Sequence, residues 1–105
     1  MTLVDNAEAA IEKSESIVTL FFARWCPFCR AFKPSFEDLA SSPNGDFGEI
    51  DISDEESEYW DKYDINIVPT LIAFSCGKVT ARRDGKPHVG LSESDLKGLI
   101  GEIWG

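Results

Sequence analysis

Apolar and polar positions follow two periods along the chain. Ala7, Ala10 and Ile11 recur at helical spacing and predict a first helix over about 6–13. Ile17-Val18-Thr19-Leu20-Phe21-Phe22-Ala23 is an apolar run rich in β-branched and aromatic residues. Such a run suits a central strand covered on both faces. A second helix is expected from the cysteines at 26 and 29 to about Ala40, kinked by Pro34 inside it. Ser41-Ser42-Pro43-Asn44-Gly45 reads as a loop, and Phe47–Ile52 alternates as a strand does. Asp54–Tyr63 predicts a short helix with acids in its first turn. Thr70–Phe74 and Lys78–Arg82 flank Ser75-Cys76-Gly77, the pattern of a hairpin. Ser92 and Asp95 have the spacing of a capping box, ahead of an apolar stripe of Leu96, Leu99, Ile100, Ile103 and Trp104. Strands that alternate with helices and end in a hairpin and a closing helix predict an α/β fold. Its expected core is a mixed sheet of four strands, five if Thr2–Val4 pairs at the edge, with helices on both faces.

Composition narrows the classes. A chain of 105 residues is expected to form one domain over 1–105. No apolar run approaches the ~20 residues needed to span a bilayer, and Met1–Asn6 lacks the basic and apolar segments of a signal peptide. A net charge of −9 disfavours nucleic acid and anionic membranes as partners. That charge is uneven. Ser16–Phe36 has no acid but holds Arg24, Arg30 and Lys33, so it carries +3 while the remaining residues carry −12. Three cysteines are an odd number and too few for a disulfide scaffold, which points to redox-active thiols in a reducing cytosol.

The chemistry is concentrated in Trp25-Cys26-Pro27-Phe28-Cys29. Cys26 is expected at a helix N-terminus, where free N–H groups and the macrodipole favour a thiolate. Cys29 follows one turn later, on the same side. The layout suits attack by Cys26, a mixed disulfide, and resolution by a buried Cys29. Zinc is the competing reading. Its candidate ligands are Cys26, Cys29, Cys76 and His88, but they offer one compact pair where a zinc site usually has two. Neither a metal nor another cofactor is expected. Cys76 reads as a bystander in its hairpin, and His88 as a solvated loop residue.

Three features, in order and at the right distances, resemble the thioredoxin family over nearly the whole chain. Ala23-Arg24-Trp25-Cys26-Pro27-Phe28-Cys29 is similar to the family's Ala-x-Trp-Cys-x-x-Cys. Pro34 matches its helix-kinking proline, and Tyr63-Asp64-Ile65-Asn66-Ile67-Val68-Pro69-Thr70 its Tyr-x-Ile-x-x-Ile-Pro-Thr. The resemblance implies a thioredoxin-like three-layer fold with a cis Val68–Pro69 peptide beside the cysteines. It implies a groove of Trp25, Pro27, Phe28, Val68 and Pro69, disulfide-containing protein substrates, a thioredoxin-reductase-type electron donor, and a cytoplasmic monomer without a cofactor.

The chain departs from the family pattern at four places. Pro27-Phe28 stands where Gly-Pro is usual, closer to glutaredoxins, yet no glutaredoxin-type Gly-Gly follows the hairpin. Leu20 replaces a buried Asp six residues before the first cysteine, and Glu49 replaces a lysine near it. Asp84–Val89 reads as an insertion. Glu49 is therefore a candidate for the proton transfer that the missing Asp would perform. The rival readings are glutaredoxin-like chemistry, a disulfide oxidant or isomerase, and a non-catalytic adaptor on the same fold.

Overall fold

The computed structural model describes residues 3–41 and 43–105. Its elements are α1 (Ala7–Lys13), β1 (Ile17–Phe22), α2 (Pro27–Leu39), β2 (Asp46–Asp51), α3 (Tyr59–Lys62), β3 (Thr70–Ser75), β4 (Lys78–Asp84) and α4 (Glu93–Trp104). The strands form one mixed sheet in the order β2-β1-β3-β4. β1 is parallel to β2 and antiparallel to β3, and β3 and β4 form the expected hairpin about Cys76 and Gly77. Leu3 makes a single parallel bridge to Phe47, short of the edge strand read over Thr2–Val4, in which Thr2 lies outside the described residues. Ser42, inside the expected loop, lies outside them too.

Side-chain alternation splits the sheet into two cores. Ile17 and Phe21 of β1 face one side with Ile50, Ile72, Phe74 and the buried Ala7 and Ile11 of α1. Val18 and Leu20 face the other with Phe47, Leu71, Phe32 and Phe36 of α2, and Leu96 and Leu99 of α4. Two apolar faces explain why the 17–23 run has no polar alternation, since each successive side chain enters a core. α2 buries Cys29, Phe32 and Phe36, spaced at i, i+3 and i+7 so that all three lie on one side of the helix. Pro34 sits inside α2, and the helix continues through it. At α4 the capping box is complete, with the Ser92 hydroxyl accepting from the Asp95 N–H and the Asp95 carboxylate accepting from the Ser92 N–H. The far end of α4 is tied down where the Trp104 indole N–H donates to Ser16 Oγ at 2.7 Å.

One element is shorter than its pattern predicts. The helix expected over Asp54–Tyr63 forms only at Tyr59–Lys62. Asp54 explains the delay, because its side chain accepts from the Glu56 N–H and its carbonyl accepts from both the Ser57 N–H and the Trp60 indole. These local bonds hold a turn in competition with the helix ladder.

Candidate active site

Sheet register brings three chain segments to one end of the molecule. Phe21 pairs with Thr70, so the end of β1, leading to Cys26, meets Pro69, which precedes β3. Thr70 in turn pairs with Asp84, so the loop after β4 starts beside Pro69. The Val68–Pro69 peptide is cis. Cys26 is the N-cap of α2 and Pro27 its first residue. Proline is suited to that place because its fixed φ matches the helix and its missing N–H is not needed there. Cys26 makes no side-chain cap bond to the helix. Its thiol instead donates to the Val68 carbonyl at 3.5 Å.

Both thiols of the Cys26–Cys29 pair are enclosed. Cys29 is 1% exposed, and its sulfur accepts from the Ala23 N–H at 3.5 Å. Burial, opposed by that N–H and reinforced by the neighbouring Cys26, pushes its thiol up to about 12. Cys26 is 7% exposed, less open than the exposed sulfur expected of an attacking cysteine. It forms part of the floor of a groove of about 250 Å³ lined by Trp25, Phe28, Trp60, Asn66, Ile67, Val68 and His88, and these walls cover it. Trp25 remains 53% exposed and is held in place by its indole N–H, which donates to the Ser53 carbonyl at 2.9 Å. Phe28 is 37% exposed, at the rim, whereas Val68 is buried. Trp25, Phe28 and Val68 of the sequence-derived groove thus converge with Cys26. Pro27 is exposed at the start of α2, and Pro69 is buried where the three segments meet.

A second cavity, about 310 Å³, lies behind Cys29 and is lined by Phe22, Ala23, Arg24, Arg30, Lys33 and Asp51. The cations of the acid-free stretch 16–36, Arg24, Arg30 and Lys33, belong to this side and are largely engaged. Arg24 pairs with Asp51 at 2.9 Å, Arg30 donates to the Arg24 carbonyl, and Lys33 bonds Glu37 at 3.0 Å. Lys33 also lies 3.8 Å from Glu49, which register places beside Leu20. Leu20 is fully buried and has no group to offer a proton. Glu49 is mostly buried, and its Oε2 has no hydrogen-bond partner among the described residues. Burial, with the adjacent Glu37 carboxyl, pushes Glu49 up to about 7, while Lys33 pulls the other way. Glu37 is held below its ordinary value by hydrogen bonding to Glu49 and by Lys33. A carboxyl poised near neutrality is suited to accept and return protons.

Sequence reasoning missed Trp60, Asn66, Ile67 and His88. Asn66 and Ile67 adjoin Val68–Pro69, which was a usable signal. Trp60 and His88 carried none, because their place in the groove arises from loop packing. Cys76 is exposed in the hairpin turn, at the end of β3 away from Pro69.

The thioredoxin family model matches residues 2–96. The chain is 43% identical to thioredoxin of Chlamydia pneumoniae over 63 residues, 59% of this chain and 61% of that protein. It is 32% identical to thioredoxin of Mycoplasmoides gallisepticum, covering 86% of each. Among solved structures, Plasmodium falciparum thioredoxin superposes with a TM-score of 0.77 at 27% identity, over 98% of this chain and 99% of that one. Fasciola hepatica thioredoxin does so at 0.74 and 30%, over 97% and 98%. With the sheet order, the paired cysteines and these likenesses in agreement, the chain belongs to the thioredoxin family.

Proposed function

We propose that the chain is a thioredoxin-type reductase of disulfides in cytosolic proteins. The observation that carries this reading is the placement of Cys26 at the start of α2, on the floor of the groove, with Cys29 buried directly behind it. In the first step the Cys26 thiolate attacks one sulfur of a partner disulfide. A new Cys26–partner S–S bond forms, the partner's S–S bond breaks, and its second sulfur leaves as a thiolate that takes up a proton. In the second step Cys29 loses its proton and attacks Cys26. The Cys26–Cys29 disulfide forms, and the partner departs with both sulfurs reduced. Two electrons pass to the partner, and a thioredoxin-reductase-type donor restores the dithiol. The protein acts as a monomer without a bound cofactor.

The second step needs a base, since Cys29 is pushed up to about 12. Glu49 is our candidate. It accepts the Cys29 proton through water in the cavity, which Lys33 borders from its place beside Glu49. Trp25, Pro27 and Phe28 border the partner on one side of Cys26, and Val68 and Pro69 on the other.

The test is capture. Cys29→Ser should accumulate mixed disulfides with partner proteins, linked through Cys26 and released by added thiol. Linkage through Cys76, or no capture alongside failure of the unmodified protein to reduce insulin, would reject the reading. A reduction potential near −270 mV would suit a reductase, and one near −120 mV a strong oxidant.

A further inference from the structure

The loop after β4 is built onto the groove. Lys86 and Gly90 exchange backbone hydrogen bonds of 3.0 and 2.8 Å, and the Val89 N–H also donates to the Lys86 carbonyl. Both ends of the closed loop press on the dithiol region. A Cβ at Gly85 would overlap the Pro69 carbonyl oxygen, and one at Gly90 would fall 2.8 Å from the Phe28 Cβ. The tip is Pro87-His88-Val89. His88 has φ +62, a left-handed conformation that His, Asn and Asp adopt more readily than most residues. His88 is exposed, as expected of a solvated loop residue, and it lines the groove that holds Cys26. Val89, 65% exposed, adds an apolar residue to the same loop tip.

Charge around this groove is one-sided. The residues that line the groove include no carboxylate and one basic side chain, His88, and Lys86 of the same loop is exposed with no ion pair among the described residues, in a chain with 19 acids. Asp61 of α3 and Asp64 just after it follow Trp60 along the chain, while Arg24 and Lys33 lie at the cavity behind Cys29, paired with Asp51, Glu37 and Glu49, and Arg82 holds Asp84. A site poor in acids on an acidic protein is electrostatically complementary to acidic segments.

Building on the oxidoreductase reading, we propose that the groove favours partner segments with a carboxylate next to the reactive cystine, and that His88 makes the contact. His88 is thereby a specificity-determining residue, acting on the partner's flanking side chain and not on the sulfur exchange. The experiment uses two model disulfide peptides that differ only in an Asp or a Lys beside the cystine. Their reduction rates are measured with the reduced full chain and with His88→Asn and His88→Asp, both compatible with the loop conformation. The unmodified protein should reduce the Asp peptide about fivefold faster than the Lys peptide, the size of one partly exposed charge contact. His88→Asn should narrow that ratio and His88→Asp should invert it. The differences should shrink with added salt. Equal ratios for all three proteins would overturn the proposal. Failure of the unmodified protein to reduce either peptide would overturn the oxidoreductase reading, and this proposal with it.

Discussion

At the scale of single residues, the exchange of Asp for Leu20 is the most consequential feature of the site. Leucine offers no carboxylate near the dithiol, and its partner on the neighbouring strand is Glu49. Its behaviour with pH follows from linkage. Glu49 has an ordinary value of 4.5 and is raised to about 7 in the fold. Between these values the folded chain holds a proton that the unfolded chain has lost, so stability falls as pH rises through this window. Glu49→Gln should remove that slope. Measured by urea unfolding at pH 5 and pH 8, the variant should gain about 1–2 kcal/mol relative to the unmodified protein across the interval. The same substitution should slow resolution of a preformed mixed disulfide severalfold while leaving attack by Cys26 near its original rate. Unchanged resolution between about pH 6 and 8, where a base near neutrality matters, would remove Glu49 from the proton route.

At the scale of elements, the site depends on how closely helices sit on the sheet. Gly48 in β2 is the clearest instance. A Cβ there would fall 2.6 Å from the Ala7 Cβ of α1, a contact between two backbone-fixed atoms that no rotamer can relieve. Gly48→Ala should therefore destabilise the fold by about 1–3 kcal/mol, the usual range for overpacking. Adding Ala7→Gly should restore part of the loss, and chemical denaturation of the two variants measures both terms. A fully additive pair would mean that the clash is relieved elsewhere. The cap of α4 offers a milder test. Ser92→Ala removes the acceptor for the Asp95 N–H and should lower stability by about 1 kcal/mol, checked by the same denaturation.

At the scale of the whole molecule, charge sets the balance. A net charge of −9 on 105 residues repels itself in the compact state more than in the expanded one. Raising ionic strength from about 0.01 M to 0.15 M shortens the screening length from about 30 Å to 8 Å. The thermal midpoint should therefore rise with sodium chloride over this range, and a fall would mean that favourable pairs such as Arg83–Glu102 and Arg82–Asp84 outweigh the repulsion.

Sequence and tertiary structure divided the determination unevenly. The chain alone determined the dithiol pair, the capping box, the hairpin and the buried run of β1, because each rests on neighbours within about one turn or on simple alternation. It determined the family as well, since Cys26, Pro34 and Val68–Pro69 stand at recognisable distances. The limits of α3 were not legible, because Asp54 could be read equally as a first-turn acid or as the centre of a competing turn. Only the fold decided the groove. Register between β1, β3 and β4 places Cys26, Pro69 and Gly85 at one end of the sheet, and loop closure between Lys86 and Gly90 then brings His88 to the wall of the groove that holds Cys26. The fold also turned the cations near Cys26 into partners of Asp51, Glu37 and Glu49. Charge in a sequence is a count along a line, whereas its effect on a thiol depends on which opposite charges packing brings within a few ångströms.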